Sequence, residues 1–77
     1  MSIKEQIRQI IAETLSVDIT MITPDLGIND IPEWNSIGNL AIITAVEEKF
    51  GVEIPIDALF ELTTVANIVS EIENLKK

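Results

Sequence analysis

The sequence has no cysteine and no histidine. Without Cys there is no disulfide staple, no thiolate metal site and no cysteine nucleophile. Without His the commonest general base and the commonest imidazole ligand are missing, so no Ser-His-Asp triad can be assembled from this chain. Aromatic residues are scarce, at 4%, and basic side chains are outnumbered: 5 Lys and Arg stand against 13 Asp and Glu, for a formal charge of −8. That balance argues against nucleic-acid backbones and anionic membrane surfaces, and a partner recognised by charge should be basic. No apolar run approaches the roughly 20 residues of a membrane span. The opening MSIKEQIRQI is amphipathic with charges throughout, unlike an export signal. These features predict a cytoplasmic protein with no membrane span and no nucleic-acid partner, kept monomeric by its charge.

What is present is a chain of 77 residues with 47% hydrophobic content. It is apolar enough to collapse, and long enough for a single domain over 1–77 with a thin core. The acidic excess is concentrated in residues 16–62, where Asp18, Asp25, Asp30, Glu33, Glu47, Glu48, Glu53, Asp57 and Glu61 face Lys49 alone. Either these acids form a solvated surface that keeps a small protein soluble, or they form a face presented to basic enzymes.

Three long stretches carry a helical period. Ile3, Ile7, Ile10, Ile11 and Leu15 follow Ser2 and Glu5, a capping-box pattern, and predict a helix over about 3–15. Ile37, Leu40, Ile43, Val46 and Phe50 follow Ser36, with Gly51 as a stop signal. Val65, Ile68, Val69, Ile72 and Leu75 follow two candidate caps, Thr63 and Thr64, and lead to Lys76 and Lys77 at the negative dipole end. Between the last two, VEIPIDALFELT holds Pro55 and one short helical turn around 57–61. Residues 16–35 contain Pro24, Gly27 and Pro32, so no long helix survives there. The segment is nonetheless rich in Val17, Ile19, Met21, Ile22, Leu26, Ile28, Ile31 and Trp34. It should lie across the bundle as a loop that buries them, with a short turn near 18–22. The fold class is all-α: a small four-helix bundle, three helices long and one short, with a long loop between the first and second helices.

Ser36, in WNSIGNL, is the residue best placed for chemistry. Asn35 and Ser36 are both accounted for by helix initiation. A helix N-terminus also presents unpaired N–H groups and a positive dipole end, where a phosphodiester on an exposed Ser would be stabilised. With no activating base in the chain, Ser36 is a poor nucleophile for catalysis but a suitable site for modification by another enzyme.

The ordered set of segments resembles the acyl carrier protein family over nearly the whole chain. IKEQIRQIIAETLSV is similar to the family's first helix and the turn after it. NSIGNLAIITAVEEKFGVEIP is similar to its second helix, which in many members begins Asp-Ser-Leu and ends in a Glu-Glu pair, Phe and Ile-Pro. LTTVANIVSEI is similar to its last helix with the Thr-Thr-Val entry. Many stand-alone members also carry Trp two positions before the modified Ser, as Trp34 stands here. The resemblance implies a carrier, not an enzyme, with no catalytic or metal-ligating residues of its own. Ser36 would receive 4′-phosphopantetheine from coenzyme A through a separate Mg²⁺-dependent phosphopantetheinyl transferase. The arm's thiol would hold acyl or aminoacyl groups as thioesters. A loading enzyme and a downstream acyltransferase or synthase would be the further partners.

The departures bear on those partners. The usual Asp before the Ser is Asn35 and the usual Leu after it is Ile37. Gly38 and Ala41 replace residues that are acidic in many fatty-acid carriers, leaving Glu47, Glu48 and Glu53 to keep that character. The partner set should therefore differ from that of primary fatty-acid synthesis. Gly38 either lets a partner's backbone approach Ser36 or is merely permissive. Trp34 either anchors the loop over the bundle or stands exposed beside the arm. Ile43, Val46, Ile54, Leu59, Phe60, Ile68 and Ile72 should line the interior, and the resemblance implies that this core can part to shelter an acyl chain. Two other functions are compatible with the residues: a carrier-like interaction module that is never modified, and, well below it, an enzyme using paired carboxylates.

Overall fold

The computed structural model describes residues 2–76. Four α-helices follow one another: α1 (Ile3–Leu15), α2 (Ser36–Phe50), α3 (Ile56–Leu59) and α4 (Val65–Leu75). A single 3₁₀ turn, Ile19–Met21, interrupts the loop between α1 and α2. There is no strand among the described residues; an isolated antiparallel bridge joins Gly27 to Thr64. The all-α bundle expected from the period is what the chain forms, and the short helix begins and ends slightly earlier than the turn expected at 57–61.

Each long helix starts at a side-chain cap. Ser2 accepts from the Glu5 amide, Asn35 from the Gly38 amide, and Thr64, not Thr63, from the Asn67 amide. Only half of the expected capping box forms at α1, because the Glu5 carboxylate pairs with Arg8 at 3.1 Å. Gly51 closes α2 in the left-handed conformation at φ 64°. At the end of α4, the Lys76 amide reaches the Ile72 carbonyl and its ammonium lies 3.4 Å from the Phe50 carbonyl. Lys77, expected to share that end, lies outside the described residues.

The central element is α1, which packs against both α2 and α4. Ile7, Ile11, Ala12 and Leu15 meet Ile42, Ile43 and Val46 of α2 and Val65, Ile68 and Ile72 of α4, with Ile22, Trp34, Ile54 and Leu62 closing the core from the loops. By contrast, α3 buries no residue fully. It is the loosely held wall of the bundle.

The long loop is tied down by specific bonds. Arg8 donates from Nε to the Ile22 carbonyl at 2.7 Å and from its Nη2 to the Ile19 carbonyl at 3.3 Å, which holds the 3₁₀ turn against α1. Asp18 caps that turn; the Thr20 amide, then the Thr20 hydroxyl, hold its carboxyl below its ordinary value. A lowered folded-state pKa contributes stability above the unfolded value, and this is lost as pH falls through the folded one. Further along, the Ile28 amide donates to the Thr63 carbonyl at 2.8 Å and the Val65 amide to the Leu26 carbonyl at 3.0 Å. Gly27 sits between them, so close that a Cβ there would lie 2.8 Å from the Thr63 carbonyl oxygen. Two expectations for this loop are corrected. Ile19 and Met21 stay exposed, because Arg8 anchors the turn by its carbonyls and leaves both side chains outside. Leu75 is also exposed, at the last turn of α4 beyond the reach of α1.

The acids are largely unpaired. Among the described residues the only ion pair is Arg8–Glu5, and Arg8 is shared with two carbonyls. Raising salt from 0.01 to 0.15 M shortens the screening length from about 30 to about 8 Å. The melting temperature should rise by about 5 °C, equivalent to roughly 1 kcal/mol for a domain this size. A melting temperature that stays flat across the salt series would show the charges too dispersed to act.

Candidate functional site

Ser36 is the first residue of α2 and is exposed. Its neighbour performs the cap: Asn35 Oδ1 accepts from the Gly38 amide at 2.8 Å, and the Asn35 carbonyl accepts from the Asn39 amide at 2.8 Å. The Ser36 hydroxyl is therefore not consumed by helix initiation. Among the described residues, nothing takes the amides of Ser36 and Ile37. The first turn of α2 carries no acidic side chain to oppose an anion at its positive end.

Beside Ser36 opens an apolar cleft of about 370 Å³. Ser36, Asn39, Leu40 and Ile43 line it from α2, at the three- and four-residue spacing that puts side chains on one helix face. Ile56 and Leu59 of α3, with Phe60, form the opposite wall, and Ile28 and Thr63 complete it. The gap exists because α3 is a single turn held by Pro55 and contributes nothing fully buried to the core.

The structure sorts the residues singled out in the sequence. Ile43 and Leu59 line the cleft. Phe60 also lines the cleft, but at its rim: expected inside, it is 82% exposed, because it follows the last turn of α3 and points away from the core. Val46, Ile54, Ile68 and Ile72 are sealed in the core around α1 and do not reach the cleft. Trp34 is fully buried and cannot be an exposed anchor; its indole N–H donates to Asn39 Oδ1 at 2.9 Å. Ile37, at 79% exposure, and Leu40 lie outside the core that their period implied. The reason is that α2 is apolar on more than one side, and α1 covers only the side with Ile42, Ile43 and Val46.

Gly38 is explained by its own chain rather than by a partner. A Cβ at this position would lie 2.8 Å from the Glu33 carbonyl oxygen and 3.2 Å from Leu15 Cδ2. Gly38→Ala would gain about 1 kcal/mol in an unconstrained helix. Here the collision is with backbone, and overpacking costs about 1–3 kcal/mol. A net loss of stability on urea unfolding is the expected result; a net gain would show that the Glu33 turn yields freely.

Glu47 is also spent locally, accepting from the Ile54 amide at 2.7 Å and fixing the chain between α2 and α3. Glu48 and Glu53 remain exposed. The surface around Ser36 thus exposes the large apolar side chains of Ile37, Leu40, Ile56 and Phe60. The cleft residues missed from sequence are Ile28, Asn39, Leu40, Ile56 and Thr63. Only Asn39 carried a signal, since a buried Trp needs a hydrogen-bond acceptor within reach.

An exposed serine at a helix N-terminus, beside an apolar cleft and with no His or Cys in the chain to activate it, has the form of a tether for a covalently added group. Comparison with known proteins agrees. A family model described as a phosphopantetheine attachment site matches residues 5–72. The acyl carrier proteins of Helicobacter pylori strains G27 and HPAG1 are each 37% identical to this chain over 76 residues, covering 99% of it and 97% of the relative. That of strain ATCC 700392 / 26695 is similar to the same extent. The chain belongs to the acyl carrier protein family. It is a carrier and not an enzyme, and its cofactor is covalently attached 4′-phosphopantetheine. No helix among the described residues is long and apolar enough to cross a membrane.

Proposed function

We propose that Ser36 is the attachment point of 4′-phosphopantetheine, and that the protein presents acyl or aminoacyl groups to the enzymes of a dedicated biosynthetic pathway in the cytoplasm. The observation that carries this is an exposed Ser36 hydroxyl, relieved of capping by Asn35, at the mouth of the apolar cleft. In the modification, the Ser36 oxygen forms a bond to the phosphorus nearest the pantetheine of coenzyme A. The bond from that phosphorus to the departing adenosine 3′,5′-bisphosphate breaks, and the serine proton passes to a base on the transferase. The resulting phosphodiester would be favoured by the free amides of Ser36 and Ile37 and by the helix dipole. The bound group supplies the thiol that this cysteine-free chain lacks, and with it the thioester linkage to the cargo. Ile43, Leu59 and their neighbours would exclude water from an aliphatic portion of that cargo.

The partner enzymes, beginning with a phosphopantetheinyl transferase, would meet an apolar surface around Ser36, with Ile37 and Phe60 as its most exposed side chains. Glu48 and Glu53 would add charge at a distance from the tether. Incubation with coenzyme A and a broad-specificity transferase should add about 340 Da, the mass of one arm. An unchanged mass with several active transferases would overturn the proposal.

A further inference from the structure

The cleft beside Ser36 is apolar except for a few groups, and one of these stands apart. Asn39 is only 8% exposed and is the one buried polar side chain among the described residues. Its side chain is oriented by chemistry: the indole N–H of Trp34 can only donate, so the atom 2.9 Å from it must be the amide oxygen of Asn39. The amide nitrogen, with two N–H donors, therefore faces the other way. It makes no hydrogen bond to any described residue. Every sealed side-chain nitrogen or oxygen among the described residues has a partner, so this nitrogen is not sealed. Asn39 lines the cleft between Ser36 and Ile43, which makes the cleft the apolar opening this side chain borders.

We infer that Asn39 is a specificity-determining residue of the cleft, donating through Nδ2 to a carbonyl or hydroxyl oxygen carried in with the tethered group. This rests on Ser36 being the tether. A ligand pocket that is mostly apolar gains its selectivity from a few placed polar groups. Here the group is a donor, fixed in direction because its own oxygen is held by Trp34. An oxygen entering beside it is paired; a plain methylene leaves both donors without a partner. The acceptor can come from the arm's amides or from an oxygenated acyl chain, and the two sources give different results.

The test uses ¹⁵N-labelled protein in four forms of verified mass: arm alone, and arm carrying octanoyl, 3-oxooctanoyl or 3-hydroxyoctanoyl thioester. The Asn39 side-chain NH₂ pair, identified by its disappearance in Asn39→Asp, is followed in each. A downfield shift with the 3-oxo or 3-hydroxy chains beyond that with octanoyl assigns the acceptor to the cargo. Cargo protection from hydrolysis should then be about fivefold greater for the oxygenated chains, the factor one neutral hydrogen bond supplies. That difference should vanish in Asn39→Asp, which keeps an acceptor for Trp34 but loses the donor. A shift already complete with the arm alone, relative to the unmodified protein, assigns the acceptor to the arm. An NH₂ pair unmoved in all forms overturns the inference while leaving the tether intact. A protein that never gains the arm overturns the tether first and this inference with it.

Discussion

Ser36→Ala is expected to abolish the gain of about 340 Da on incubation with coenzyme A and transferase, and to leave the melting curve almost unchanged. The two halves of this result come from different parts of the local structure. The hydroxyl is exposed and makes no hydrogen bond to a described residue, so its removal leaves no buried group unsatisfied. Surface changes of that kind usually stay within about 0.5 kcal/mol. The cap belongs to Asn35, and Asn35→Ala should cost about 1 kcal/mol while keeping the tether. Intact mass and urea unfolding, measured on both variants, separate the roles. A Ser36→Ala protein that still gained the arm would place the attachment on another residue. One that unfolded would make Ser36 a structural residue after all.

Trp34→Ala should come close to unfolding the protein. Trp34 is the largest fully buried side chain and joins the long loop to α2. Its truncation should cost about 3–5 kcal/mol in lost burial and cavity. A domain of this length has a total stability of only about 4–12 kcal/mol. Trp34→Phe refills much of the space but leaves Asn39 Oδ1 without its donor, and should cost about 1–3 kcal/mol. Urea unfolding followed by circular dichroism measures both without relying on the indole signal. A Trp34→Ala variant nearly as stable as the parent would mean that the loop from 16 to 35 is not integral to the core. The same substitution should also loosen the orientation of Asn39 in the cleft, since the indole is what fixes it.

The helices, their caps and their stops were legible in the residues, because they depend on interactions within three or four positions: Ser2 with Glu5, Asn35 with Gly38, Thr64 with Asn67. The lack of any intrinsic thiol or imidazole was equally plain, and it agrees with the added group that the family resemblance implies. Ser36 was visible at the same level, as a hydroxyl at the start of a helix. Which apolar residues are buried was not. On α2, Ile37 and Leu40 share the helical period of Ile43 and Val46, and only the position of α1 decides that the first two face water. Phe60, expected inside, lies outside because it follows a single-turn helix that packs poorly, whereas Trp34 takes the first of its two readings and anchors a loop stitched to α4 through Gly27 and Thr64. For Gly38 the sequence leaves partner access and mere permissiveness both open, because its actual neighbour, the Glu33 carbonyl, is brought close only by the turn that Trp34 anchors. Local order is written in near neighbours along the chain. The cleft, its donor at Asn39 and the apolar rim around Ser36 arise from side chains up to 27 residues away, from Ser36 to Thr63, and so exist only once the bundle has closed.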